Sequence, residues 1–320
     1  MLSGLFISLF AAIIPTVIHT LIFYWADRYE REPGWLLFVA FLWGAIPAIL
    51  ASILLEEILG IPLASSTQTI TGEVVESSII APIVEEFFKG FAIWLIFIWK
   101  RQEFDGVLDG LLYGALIGFG FAMTEDFFYY IGVFDSGGIG DLSIVIFLRA
   151  ILFGLNHGFY TGLTGVFFGL SRNMHRGFLR FLLPWIGLGL AIVVHALHNF
   201  GVTVAGVNPL GLLLSVLIAF GSVGLLILIV ALAWRQERQT IRRELAEEVG
   251  VSLSAGEFAL LTERWRRPSR WKDREKADRT QLLVELALSK DRLRKRGNED
   301  EPELGQAIAD LRTTLQTIHA

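Results

Sequence analysis

The sequence predicts an all-α membrane protein: about seven transmembrane helices, the N-terminus outside, and a helical cytoplasmic C-terminal tail. Three observations carry that prediction. The 320 residues are 53% hydrophobic and only 18% charged, whereas about a quarter of a soluble domain is charged. Seven apolar stretches reach the length needed to span a bilayer. The lysines and arginines of the short loops alternate along the chain, which sets an orientation.

The apolar stretches lie at 2–25, 34–59, 77–99, 109–133, 143–171, 178–204 and 209–234. The first has no basic n-region and no small-residue cleavage site, so it reads as a retained helix. Pro15, Pro47, Pro82 and Pro184 fall inside helices or near their starts, where membrane helices tolerate them. Ser77 and Ser78 read as the cap of the third helix. Arg28 and Arg31 sit in the first loop, Lys100 and Arg101 in the third, and Arg172, Arg176 and Arg180 in the fifth; the even loops have none. The odd loops and the tail are therefore expected in the cytoplasm, and the protein in the cell membrane as a multi-pass chain.

The expected division is a transmembrane catalytic domain over 1–234 and a charged helical tail over 235–320. From Arg235 onward lie 18 of the 27 lysines and arginines and 16 of the 32 acidic residues. The net charge of −5 thus averages two unlike parts, and no nucleic-acid partner is expected. In the tail, Leu282, Leu283, Leu286 and Leu293 mark one apolar face, and Ala307, Leu311 and Leu315 another. Arg266, Arg267, Arg270, Lys272 and Arg274, with Trp265 and Trp271, form a basic-aromatic run. Acidic residues interleave with it, so a solvated helix face is favoured over an anionic lipid site. Asn298 to Glu303 reads as a linker. With no cysteine there is no disulfide, thiolate metal site or cysteine nucleophile.

Ionisable groups at membrane depth cost about 2.5–3.5 kcal/mol each on insertion scales, so they are the best markers of function here. Glu85 and Lys89 are i,i+4, and Glu86 and Lys89 are i,i+3, so one lysine can serve both carboxylates. One structural pair needs one carboxylate, and the second argues for function. Glu125 and Asp126 follow a glycine face, Gly110, Gly114 and Gly118, suited to close helix packing. Arg149 is expected to neutralise Asp126 or Glu125. His157 lies mid-helix, where a lone histidine also serves as a helix–helix hydrogen bonder. His195, His198 and Asn199 sit at i, i+3 and i+4 and can share one face; two imidazoles at that spacing also suit a metal. Counted along their helices, Glu85, Glu125, His157 and His195 agree in depth within roughly 10 Å at 1.5 Å per residue. Unrelated structural groups need not agree in this way.

A carboxylate–imidazole–amide set suits water activation. Either a glutamate base acts with His and Asn stabilising an oxyanion, or a metal held by His157, His195 and His198, zinc being the candidate, lowers the pKa of water. Three function classes follow: an intramembrane endopeptidase, a non-enzymatic transporter or sensor using the buried charges as a proton relay, and a metal-dependent lipid amide hydrolase.

The chain also resembles the PrsW-type intramembrane proteases, within the wider group that includes the type II CAAX-processing (Abi) proteases, over roughly residues 20–205. Asp27-Arg28-Tyr29-Glu30-Arg31-Glu32-Pro33 is similar to their first loop, and Glu85-Glu86-Phe87-Phe88-Lys89 to their EExxK motif. Asp109-Gly110 through Tyr113-Gly114 to Gly118, Gly120, Phe121, Ala122 and Glu125 resembles DGxxYGxxxGxGFAxxE. His157 fits FxxxH, and His195 with Asn199 fits HxxxN. The CAAX proteases have EExxxR, whereas Lys89 comes one residue earlier, and Asp126 stands where PrsW proteins often have Asn. The resemblance implies cleavage of membrane-anchored substrates such as anti-sigma factors. It also implies that Glu85 activates water with Glu86 in support, that His157 orients it, that His195 and Asn199 hold the oxyanion, and that Glu125 and Lys89 tune the site.

Overall fold

The structure is a computed structural model describing residues 2–27, 31–60, 70–101, 103–174, 177–263, 274–296 and 302–318. Arg28, Tyr29, Glu30, Arg176, most of the basic-aromatic run and the core of the 298–303 linker lie outside the described residues. The chain forms α1 (Leu2–Ala26), α2 (Gly34–Trp43), α3 (Ile49–Gly60), α4 (Ile70–Val75), α5 (Ala81–Trp99), α6 (Val107–Ile146), α7 (Asn156–Arg172), α8 (Phe178–Ala205), α9 (Leu210–Ala246), α10 (Ala255–Glu263), α11 (Arg274–Arg296) and α12 (Pro302–Thr317). Among the described residues there is no strand, and π-helical turns at Gly44–Ala48, Glu76–Ile80 and Phe147–Leu152 join α2 to α3, α4 to α5, and extend α6.

Five runs are long and apolar enough to cross a membrane: Leu2–Ala26, Gly34–Leu59, Val107–Arg172, Phe178–Ala205 and Leu210–Ala246. Three of the seven expected stretches, the third, fourth and fifth, do not stand among them separately, for two physical reasons. The third carries Glu85, Glu86 and Lys89 on α5, and these charges lower its apolarity. The fourth and fifth merge into the run Val107–Arg172, although α6 and α7 fold back on each other.

Two compact units make up the chain. The first comprises Met1–Asp27, Glu32–Arg172 and Gly177–Leu228, and α6 is its centre. A Cβ at Gly110 would lie 2.0 Å from the Gly165 carbonyl oxygen, one at Gly114 2.4 Å from that of Thr161, and one at Gly118 2.2 Å from that of His157. The partners descend as the glycines ascend, so α6 and α7 are antiparallel and in backbone contact. On another side, a Cβ at Gly120 would lie 2.1 Å from the Phe41 carbonyl oxygen, and one at Gly44 1.9 Å from that of Ile117. Small residues replace the missing hydrophobic driving force inside a membrane by letting backbones approach. At the two described ends of the first-loop motif, the Tyr113 hydroxyl donates to Glu32 Oε2, and the Glu32 N–H donates to Asp27 Oδ2 at 3.2 Å. Asp109 Oδ2 accepts from the Asp105 and Gly106 N–H groups, at 2.9 and 2.6 Å, closing the start of α6.

Several boundaries differ from the sequence reading. The helix preceding α5 begins at Ile70, so Ser77 and Ser78 lie inside a π-helical turn and do not cap a helix. The Ser77 hydroxyl instead meets Thr203 Oγ1 at 2.8 Å. α6 continues to Ile146 through a glycine- and aspartate-containing stretch that reads as a loop, broken by Gly138 at φ 70°. Gly tolerates that left-handed region where other residues do not.

The second unit is built mainly from Ile229–Ala320. Ile241, Leu245, Leu253, Leu261, Leu283, Leu286 and Leu315 form its core, with Leu282, Leu293 and Leu311 packed against it. Glu248 is buried there. Burial alone would raise its carboxyl, but hydrogen bonds from Arg312, Lys290 and Ser252 outweigh it and hold the pKa down at about 2. A carboxyl depressed on folding stabilises above its ordinary value of 4.5 and loses that contribution as pH falls towards 2. Hydrogen-exchange protection of α11 and α12 is expected to fall across that interval, and at higher pH in Arg312→Ala than in the parent. An unchanged profile in that variant would count against this role for Glu248.

Candidate active site

Four helices and one π-helical turn converge around Lys89. Its Nζ donates to Glu85 Oε2 and Glu86 Oε1, each at 2.9 Å, and lies 3.2 Å from His157 Nδ1. The ammonium also sits 3.8 Å from the centre of the Phe121 ring. An ammonium has three donors and no acceptor. His157 Nδ1 must therefore accept, which places the imidazole proton on Nε2. That nitrogen faces Glu125 Oε2 at 3.1 Å.

Glu125 and Asp126, on α6, share a second cation. Arg149 NH2 lies 2.6 Å from Glu125 Oε2, and its Nε donates to Asp126 Oδ1. Arg149 projects from the π-helical turn after α6, with its guanidinium 4.1 Å over the Tyr129 ring. The neutralising role expected for it is what the contacts show.

On α8, His195 Nδ1 lies 3.1 Å from Glu86 Oε1 and Nε2 lies 4.0 Å from Glu85 Oε2. The Tyr160 ring stacks on the imidazole at 4.7 Å and 21°. The Thr161 hydroxyl donates to Glu86 Oε2 at 3.0 Å. Both Glu86 oxygens are thus engaged, by Lys89 and His195 on one and Thr161 on the other, and the residue is fully buried. Glu85 is 5% exposed and lies 4.0 Å from both His157 Nδ1 and His195 Nε2. The two adjacent glutamates are therefore unequal: one is saturated, the other adjoins both imidazoles.

Glu85, Glu86, His157 and His195 each offer a ligand atom, and these atoms lie within 4.8 Å of one another. Lys89 adjoins three of these residues, and Glu125 adjoins His157. His198 and Asn199 are not brought into the set. His198 turns to Asn156, whose Nδ2 lies 3.3 Å from Nδ1, and the Asn199 amide donates to the Ser77 carbonyl oxygen at 2.9 Å. Positions i, i+3 and i+4 share a broad helix face, but each points in its own direction across it. Thr161 and Tyr160 were missed by the sequence reading; their spacing from His157, four and three residues on, is the signal that places them on its face.

A sequence model of the PrsW family intramembrane metalloproteases matches residues 32–234. The chain belongs to that family. It is 28% identical over 197 residues to "Protease PrsW" of Oceanobacillus iheyensis, covering 59% of this chain and 80% of the relative. It is 27% identical over 175 residues to that of Geobacillus kaustophilus (55% and 73%) and 26% identical over 202 residues to that of Bacillus subtilis (62% and 84%). No solved structure matches. The protein is an intramembrane protease of the PrsW family, and the transporter and lipid amide hydrolase readings give way to it.

Proposed function

We propose that this PrsW-family member is an endopeptidase that cuts membrane-anchored protein substrates, an anti-sigma factor being the example the resemblance suggests, with water activated by Glu85. The observation that carries the proposal is the inequality of the two glutamates: Glu86 has both oxygens engaged, while Glu85 adjoins two imidazoles. With the His195 Nδ1 proton donated to Glu86, its Nε2 presents a lone pair 4.0 Å from Glu85 Oε2. A water held between them donates one hydrogen to each and keeps its own lone pairs for attack. The new C–O bond forms as Glu85 takes the proton. The C–N bond then breaks as Glu85 returns that proton to the leaving nitrogen. His157, fixed by Lys89 and Glu125, borders the same space; Asn199, committed to Ser77, positions α8.

Seven crossings with the N-terminus outside and the C-terminal unit cytoplasmic accord with the loop charges. Kinship with the CAAX-processing group rests on the EExx(x)K/R similarity alone.

The donor set also fits a divalent metal in number and kind: two carboxylates and two imidazoles, Glu85, Glu86, His157 and His195. Zinc there would supply a Lewis acid and acidify a bound water. Lys89 engages three of those residues, so metal and ammonium compete for the same lone pairs. Lys89→Met is therefore expected to retain more zinc after dialysis than the parent, read as metal content per chain. Equal content in both would show that the lysine does not compete. The test of the function is cleavage of a panel of single-span substrates by the purified protein beside Glu85→Gln, with and without chelator. Cleavage that survives in Glu85→Gln would sink the assignment.

A further inference from the structure

Between Pro33 and Phe88 the chain has six glutamates and no lysine, arginine or histidine. Lys89 answers two of them, Glu85 and Glu86. Glu56 is different. It is half-buried on α3, and its Oε1 is buried without a hydrogen-bond partner among the described residues. One turn earlier on the same face is Ser52, only 1% exposed, whose Oγ is likewise without a partner. A buried polar atom left without a partner is costly, so such a pair of atoms calls for a ligand.

α3 runs past the active site. Ala48, the last residue of the π-helical turn before it, and Ile49, its first residue, pack with Phe121 and Phe88, and the Phe121 ring carries the Lys89 ammonium. Ser52 and Glu56 follow along the same helix. The charges acting on Glu56 are the carboxylates of Glu85, Glu125 and Glu76 and the single ammonium of Lys89. That ammonium has its three donors on Glu85, Glu86 and His157. Arg149 is held by Glu125 and Asp126. These two cations are bonded to Glu85, Glu86, Glu125 and Asp126, and among the described residues neither is bonded to Glu56.

A carboxylate within a membrane span needs a partner, and among the described residues none bonds Glu56 Oε1. On the reading that the peptide bond is cut at Glu85, the group that arrives is the substrate. We propose that Glu56, with Ser52 beside it, is a specificity subsite for a lysine or arginine side chain adjacent to the scissile bond. The substrate cation donates to Glu56 Oε1 and Ser52 Oγ and completes the charge balance of the cluster. An acidic side chain in the same place meets the carboxylates of Glu56, Glu85 and Glu125 and is rejected, as like charges brought together in a dry site are.

The test uses the full-length protein in detergent and synthetic single-span peptides. The peptides are identical except for one lysine, norleucine or glutamate, stepped through the positions flanking the cut. At its best position the lysine peptide is expected to exceed the norleucine peptide about tenfold or more in kcat/KM, chiefly through KM. Glu56→Gln is expected to bring that ratio near one, and Glu56→Lys to turn the preference towards the glutamate peptide. Binding of the same peptides to Glu85→Gln, followed by fluorescence polarisation, should keep the lysine preference without cleavage. Equal use of lysine and norleucine at every position by the parent would overturn the subsite. So would a Glu56→Gln that slows all peptides by one factor, since that outcome places Glu56 in proton transfer or in the fold. Cleavage by Glu85→Gln at the parent's rate would overturn the reading on which the subsite rests, and the subsite with it.

Discussion

Glu85→Gln is expected to slow cleavage by roughly 10²–10⁴-fold, the usual worth of a positioned general base, with little change in thermal stability. The amide oxygen of glutamine still accepts from Lys89, so the 2.9 Å contact survives. The lysine is not left alone in the protein interior either, because Glu86 remains bonded to it. Removing one partner of a buried pair is destructive when it strands a charge; here it does not. What disappears is the oxygen able to hold a proton beside His195 Nε2. Glu86→Gln gives the contrasting result. Glu86 joins α5 to α7 through Thr161 and to α8 through His195, so its neutral variant should lose stability together with activity. Peptide cleavage and a melting midpoint, measured side by side on the two variants, separate the roles. Equal losses of both kinds in the two would mean that the glutamates are interchangeable.

Gly165→Ala is expected to be the most damaging single methyl group in the membrane unit. Its Cβ would lie 1.8 Å from the Gly110 carbonyl oxygen, and relief requires two helix backbones to separate. Overpacking of a closed core costs about 1–3 kcal/mol and more when backbone must move, and the upper end applies here. Gly118→Ala strikes the same interface at the level of His157, whose carbonyl oxygen would sit 2.2 Å from the added carbon, so activity should fall with stability. Gly221→Ala on α9 meets nothing within 4 Å and serves as the control, neutral or slightly stabilising. A Gly165→Ala protein melting with the parent would show that the α6–α7 contact is looser than described.

Much of this architecture is visible in the amino-acid order. Apolar length gives the helices. The four-residue glycine spacing gives the face by which α6 meets α7, and matched depth gives the meeting of Glu85, Glu125, His157 and His195. Azimuth is what the sequence withholds. His195, His198 and Asn199 share a helical face by number, yet only His195 turns to the glutamates, because Asn156 and Ser77 draw the other two away. Glu56 was passed over for a related reason: position alone does not tell whether a glutamate near a helix end faces lipid headgroups or a neighbouring helix. The extension of α6 to Ile146 was hidden by residues that ordinarily end helices, Gly137, Gly138 and Gly140.

The placement of Lys89 has a consequence for biogenesis. Both of its carboxylate partners lie within one turn on the same helix, so the segment leaves the ribosome with a counter-ion already built in. At the translocon it presents a single residual charge, where three separate ones would each resist lateral release into lipid. Glu125 has no such local partner, because Arg149 is synthesised 24 residues later. On the seven-crossing reading, α5 can therefore enter the bilayer alone, whereas α6 has to wait and enter as a hairpin with the segment that carries Arg149.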